Sequence, residues 1–139
     1  MRRLVLNSKL SELDRLSAFA RDVGREDGLS KDQIFALQIC LEEAVTNIIR
    51  HGGSENKGKH IWVTISPAPL VVACLEDEGS PFDPTKVPLP QRAGSLEDAQ
   101  VGGLGVHLMR KITAGMRYER IAGRNRLTLE FASTSETPA

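Results

Sequence analysis

A chain of 139 residues suits one domain with a sizeable core and is short for two. Its content, 40 % hydrophobic and 26 % charged, is that of a globular domain. Eighteen basic and eighteen acidic side chains leave no formal net charge, which argues against nucleic acid as the main partner. No apolar run approaches the roughly 20 residues that a membrane helix needs, and the N-terminal "MRRLVLNSKL" lacks the apolar stretch of a signal peptide. Cys40 and Cys74 each sit in an apolar run without a CxxC partner. They are expected to be buried reduced thiols, for which a cytoplasmic location is the simplest inference.

In chain order, "RLVL" (3–6) predicts a short strand. Leu10, Leu13, Leu16, Phe19, Ala20 and Val23 then recur at helical spacing, ending at the glycines 24 and 28. Ser30 with Gln33 three residues later forms a capping-box signature for a second helix running to about His51, which Gly52-Gly53 stops. "HIWVTIS" (60–66) and "LVVACLED" (70–77) predict neighbouring strands. Residues 78–103 hold four prolines, several glycines and no sustained period, predicting a long loop of the kind that is uncommon unless functional or disordered. "LGVHLMRKIT" (104–113) predicts a short helix, and "MRYERI" with "NRLTLEFA" a closing hairpin around "AGR". Residues 1–132 are thus expected to form one domain and residues 133–139 a frayed tail. Strands and helices come in runs, so the expected class is α+β: a two-layer sandwich with helices on one face of a mixed sheet.

Three stretches carry side chains that plain packing does not ask for. In "LEEAVTNIIRHGG", Ile34, Leu37, Leu41, Ala44, Val45 and Ile48 gather on one broad helix face. Glu43 and Asn47 project together to a flank otherwise made by Ala36, Ile39 and Cys40. A carboxamide oxygen is a hard neutral ligand for Mg²⁺, and a carboxylate one turn away can accept a proton from a hydroxyl. In "CLEDEGSPFDP", Asp77 ends a strand with Gly79 close behind; such a carboxylate can accept from an exocyclic amine while the glycine lets a flat ring approach. In "VGGLGVHLMRK", Gly102, Gly103 and Gly105 open a helix whose unpaired amides can face an anion. Each has an ordinary alternative: a surface acid, an acidic turn, a flexible glycine hinge. His107 is expected to pack or to be exposed.

Their order, Glu43…Asn47, Asp77-x-Gly79, long loop, Gly-Gly-Leu-Gly, resembles the GHKL ATP-binding superfamily, which includes gyrase B, histidine kinases and MutL. Within it, "EEAVTNIIRHG", "EDEGSPFDP", "GGLGVHLMRK" and "GRNRLTL" are most similar to the anti-sigma regulatory factors, bacterial serine/threonine protein kinases. The resemblance implies a Bergerat-type ATP-binding fold with ATP and Mg²⁺ as its ligands. It implies Asn47 as the Mg²⁺ ligand, Glu43 as general base, Asp77 on the adenine amine with Gly79 beside the ring, and Gly102, Gly103, Leu104 and Gly105 around the phosphates. Residues 78–102 would be the ATP lid, and Asn125 would support the adenine pocket. One departure stands out: Ala114 replaces the acid of the subfamily's D-x-V-x-Y, while Tyr118 is kept.

By the same resemblance the γ-phosphoryl would pass to a serine or threonine of a STAS-type anti-sigma-factor antagonist. A sigma factor and a homodimer are left open as further associations. The competing reading is a nucleotide-gated binding switch that holds a partner without phosphorylating it, in which Glu43 would not act as a base. A sensor histidine kinase fragment is disfavoured because residues 8–27 contain no histidine to accept a phosphoryl group.

Overall fold

A computed structural model describes residues 1–52, 58–88 and 103–132. Strand β1 (Arg2–Asn7) leads through a single 3-10 turn (Leu10–Glu12) into helix α1 (Leu13–Glu26) and helix α2 (Lys31–Gly52). Strands β2 (His60–Ser66) and β3 (Val71–Asp77) follow, then helix α3 (Gly103–Ile112) and the hairpin of β4 (Gly115–Ile121) and β5 (Arg124–Phe131). The five strands lie in the order β1-β2-β3-β5-β4.

Every neighbouring pair is antiparallel, so the sheet is not mixed as expected. A crossover through a helix would make β4 a parallel neighbour of β3, but β4 takes the edge instead. β5, reversed by a two-residue turn, inserts beside β3. That turn needs positive φ at both central residues, which Ala122 (51°) and Gly123 (78°) supply.

Residues of the three central strands alternate strictly. Ile61, Val63 and Ile65 of β2, Val71, Ala73 and Leu75 of β3, and Leu127, Leu129 and Phe131 of β5 are buried on one side. Between them Trp62, Cys74, Glu76 and Arg126 point to the other, half-exposed side. The helices cover the buried side, giving the expected two layers. Helix α2 begins with the expected capping box: the Ser30 amide donates to Gln33 Oε1 (3.0 Å) and the Gln33 amide to Ser30 Oγ (3.1 Å). α1 and α2 approach closely, since a Cβ on Gly24 would overlap the Ile34 side chain. Leu37, Cys40, Leu41 and Val45 have no exposed surface at all.

Both cysteines are free, but only Cys40 is fully buried; Cys74 is half-buried on the outer side of the sheet, one residue out of phase with the core. Burial, with Glu43 nearby, pushes the Cys40 thiol up to about 12. At pH 8 only about one Cys40 in ten thousand would then be a thiolate. Native protein at pH 8 is therefore expected to leave Cys40 unmodified by iodoacetamide until it is unfolded, as read by mass spectrometry of digests. Modification of Cys40 at the rate of a free thiol would contradict this packing.

Candidate functional site

The site grows from the C-terminal half of α2. Because Leu41, Ala44, Val45 and Ile48 turn this helix onto the core, the residues one position out of phase, Glu43 and Asn47, stand along its rim. Asn47 is only 3 % exposed. Its Nδ2 is buried with no hydrogen-bond partner among the described residues, a state shared there only by Ser8 Oγ and His107 Nδ1. A buried amide left unpaired costs about 1–3 kcal/mol, and of the three residues only Asn47 carries that cost on the lining of a cleft, where a ligand can reach it.

Opposite Asn47, the sheet register places Asp77 of β3 beside Asn125 of β5, and Asn125 beside Arg120 of β4. Asp77 and Asn125 are 6 % and 7 % exposed. Asp77 Oδ2 accepts from the Gly79 amide (2.9 Å) and from Asn125 Nδ2 (3.2 Å). Asn125 Nδ2 also donates to the Ser80 carbonyl (2.9 Å). Its Oδ1 accepts from the Tyr118 hydroxyl (2.5 Å) and Arg120 Nη1 (3.2 Å), and the same arginine nitrogen donates to the Gly79 carbonyl (2.6 Å). Burial raises the Asp77 carboxyl above the usual aspartate value; the Gly79 amide, Asn125, Arg120 and Lys59 pull against it.

Asn47, Asp77, Gly79 and Asn125 line one cleft with about 470 Å³ of empty space, its open mouth included. Ala44, Ile48, Leu75, Met109 and Leu127 supply apolar walls, so the cavity offers flat apolar contact with polar groups at one end, as a heterocyclic base needs. His51 and Phe82 stack across the lining, with centroids 3.7 Å apart and planes 21° from parallel. Burial, then Arg50, lowers the His51 pKa, which favours the neutral ring. Past Phe82 the chain is tied to α3: Arg110 Nη2 donates to the carbonyls of Pro84 (3.1 Å) and Thr85 (2.6 Å).

Glu43 and Gly105 do not line this cleft but meet each other one helical turn from Asn47. A Cβ built on Gly105 would overlap Glu43 Oε2 and lie 3.0 Å from its Cδ, so the carboxylate rests against the opening turn of α3. Gly103 starts that helix and Leu104 follows it; Gly102 and lid positions 89–101 lie outside the described residues, as does the tail. His107 is half-buried, in keeping with a packing role. Sequence reasoning missed Tyr118 and Arg120 as parts of the site. The i, i+2 spacing across a hairpin from Asn125 was the available signal. It likewise missed the His51–Phe82 pair, for which no local signal exists.

A Mg²⁺ ion with phosphate ligands fits the residues present. The unpaired Asn47 Nδ2 is a donor that a phosphate oxygen would satisfy, and the oxygen of the same carboxamide is a hard neutral ligand of the kind Mg²⁺ takes. A phosphate chain running from it toward Gly105 would meet the α3 N-terminus.

Comparison with known proteins follows the same lines. Residues 6–131 match the family of histidine kinase-like ATPase domains. The serine/threonine-protein kinase BtrW of Bordetella bronchiseptica is 36 % identical over 104 residues, covering 74 % of this chain and 73 % of that one. In fold the chain resembles the RsbU and RsbW domains of a Mycobacterium tuberculosis protein, with a TM-score of 0.62 at 18 % identity. The match covers 94 % of this chain, which spans 32 % of that longer one. It also resembles the SiaB–SiaC complex of Pseudomonas aeruginosa (TM-score 0.57, 12 % identity, 94 % and 89 % coverage). No helix among the described residues is long and apolar enough to cross a membrane.

If the Asn47 carboxamide is kept for a ligand, an aliphatic side chain there should relieve the fold. Asn47→Leu is expected to raise the stability of the ligand-free protein by about 1–3 kcal/mol in urea titrations. Unchanged or lower stability would mean that the amide is already satisfied in the empty protein.

Proposed function

The chain belongs to the histidine kinase-like ATPase family and, within it, to the serine/threonine-protein kinases of the anti-sigma regulatory type, and from this premise we propose how its cleft works. It binds Mg-ATP and passes the γ-phosphoryl group to a serine or threonine hydroxyl on a STAS-type partner. The adenine sits between the apolar walls with its 6-amino group on Asp77 Oδ1, the carboxylate oxygen that takes no hydrogen bond among the described residues. The phosphates follow α2 from Asn47 to the glycine turn of α3.

The observation that carries this reading is the place of Glu43. Its carboxylate lies against Gly105, at the helix N-terminus where a terminal phosphate would rest, and one turn from Asn47. There it can take the proton from the attacking hydroxyl as the new bond to phosphorus forms, while the bond from γ-phosphorus to the β–γ bridging oxygen breaks and ADP departs. Magnesium, with Asn47 Oδ1 as its protein ligand, would neutralise charge on the phosphates. Gly105 admits the carboxylate because any side chain there would displace it.

A nucleotide-gated switch without transfer would have no use for this close approach of Glu43, which favours the kinase reading over it. The STAS-type acceptor is the class that the resemblance implies. Sigma-factor binding and homodimerisation, which the resemblance also raises, draw no support from the cleft.

Two substitutions separate binding from chemistry. Asn47→Ala is expected to weaken Mg-dependent ADP binding by about tenfold or more, as measured calorimetrically. Glu43→Ala is expected to bind ADP within about a factor of two of wild type, while transfer of label from γ-labelled ATP to STAS-type partners falls by roughly 10²–10⁴-fold. Transfer at the wild-type rate by Glu43→Ala would remove that residue from the mechanism.

A further inference from the structure

We infer that Arg120, assisted by Tyr118, is a positioning residue for purine selection: it anchors the oxygen of the Asn125 carboxamide and so holds the nitrogen on Asp77, which tunes which purines the site accepts. The inference rests on the adenine reading above and deepens it.

A carboxamide can present its oxygen or its nitrogen to either side, and the two ends are nearly equal in shape. Here the ambiguity is removed from both sides: the Ser80 carbonyl can only accept, and Arg120 is a group that can only donate. The guanidinium of Arg120 has no acceptor, so the Asn125 atom 3.2 Å from its Nη1 must be the oxygen. The nitrogen is thereby turned to Asp77 Oδ2 (3.2 Å) and the Ser80 carbonyl (2.9 Å). Tyr118 donates to the same oxygen, but a hydroxyl could equally accept, so by itself it does not force the choice.

The consequence falls on Asp77. With Oδ2 held by two donors, the Gly79 amide and Asn125 Nδ2, the carboxylate stays acceptor-only, and Oδ1 can greet a 6-amino group but not a 6-oxo group. If the Asn125 nitrogen swung away, Asp77 would lose one of the donors that hold it in the acceptor form. A 6-oxo purine would then be rejected less strongly. Arg120 also donates to the Gly79 carbonyl (2.6 Å), which fastens the turn beside the base to the edge strand. It reaches the site from an exposed position on β4, next to Asn125 in the register. A surface arginine whose head group spans two buried acceptors is placed there for those acceptors, because exposed arginine side chains otherwise lose rotamer freedom for little return.

The test compares ADP with inosine diphosphate, which differs at purine position 6, by calorimetric titration of the whole chain. Wild type is expected to prefer ADP. Arg120→Met should lower the ADP-to-IDP affinity ratio by roughly threefold to tenfold, about the worth of one hydrogen bond. Arg120→Lys, which keeps a donor-only group, should recover part of that ratio. Tyr118→Phe removes the other donor while leaving the edge strand intact and should shift the ratio in the same direction by less. A ratio unchanged in Arg120→Met, including the case in which both affinities fall together, would overturn the positioning role while leaving the adenine reading in place. A wild type that binds both nucleotides equally would overturn the adenine reading and this inference with it.

Discussion

The arrangement depends on how deeply α2 is buried. It packs against α1 on one side, α3 on another and the sheet beneath, and Leu37, Cys40, Leu41 and Val45 lose all contact with water. A helix held on several sides has little freedom to rotate, and close-packed interiors resist the ångström-scale shifts that would turn a side chain away. The rim residues are therefore aimed by the core. Asn47 faces the cleft because rotating it out would expose Leu41 and Val45. Glu43 meets α3 because that helix packs close enough to need a glycine at 105.

Two polar groups are kept at some expense to stability. Asn47 buries an unpaired amide, and Asp77 buries a carboxylate whose ionisation is resisted by its surroundings. A group with a raised folded-state pKa favours the fold most below its unfolded pKa and loses that contribution as pH rises through the folded value. At neutral pH ionised Asp77 is therefore a burden, lightened by the Gly79 amide, Asn125, Arg120 and Lys59. Both costs fall on the walls of one cleft. That concentration is expected where a binding surface is preorganised before its ligand arrives.

Much of this was legible in the sequence where periodicity and chemistry coincide. The capping box at Ser30 and Gln33, the strand 60–66 and the small-and-apolar flank around Glu43 and Asn47 each carried a local signal that survives in the structure. The first helix starts later than its apolar spacing suggested, because Lys9 is extended and a 3-10 turn intervenes at Leu10–Glu12. Strand order was not legible: whether β4 or β5 lies beside β3 is settled by long-range packing, and it turned an expected mixed sheet into an antiparallel one. The same order creates the row Asp77–Asn125–Arg120. The predicted hairpin already set Arg120 beside Asn125, but the link of either to Asp77 could not be seen while the strand beside β5 was unknown. Cys74 illustrates the reverse error: its apolar neighbours suggested burial, but strand alternation sends it to the outer side.

On the proposed reading, the cleft at Asn47, Asp77 and Asn125 and the meeting of Glu43 with the opening of α3, one helical turn beyond it, take up a single nucleotide between them. Nuclear magnetic resonance of labelled protein titrated with Mg-ADP tests it most directly, through backbone amides and the two asparagine side-chain NH₂ groups. The side chains of Asn47 and Asn125 and the amides of Gly79 and Gly105 are expected to shift together along one binding curve, while Trp62 and Thr128 on the outer side of the sheet stay still. Shifts confined to that outer side, or saturation without movement at Asn47 and Gly105, would contradict it.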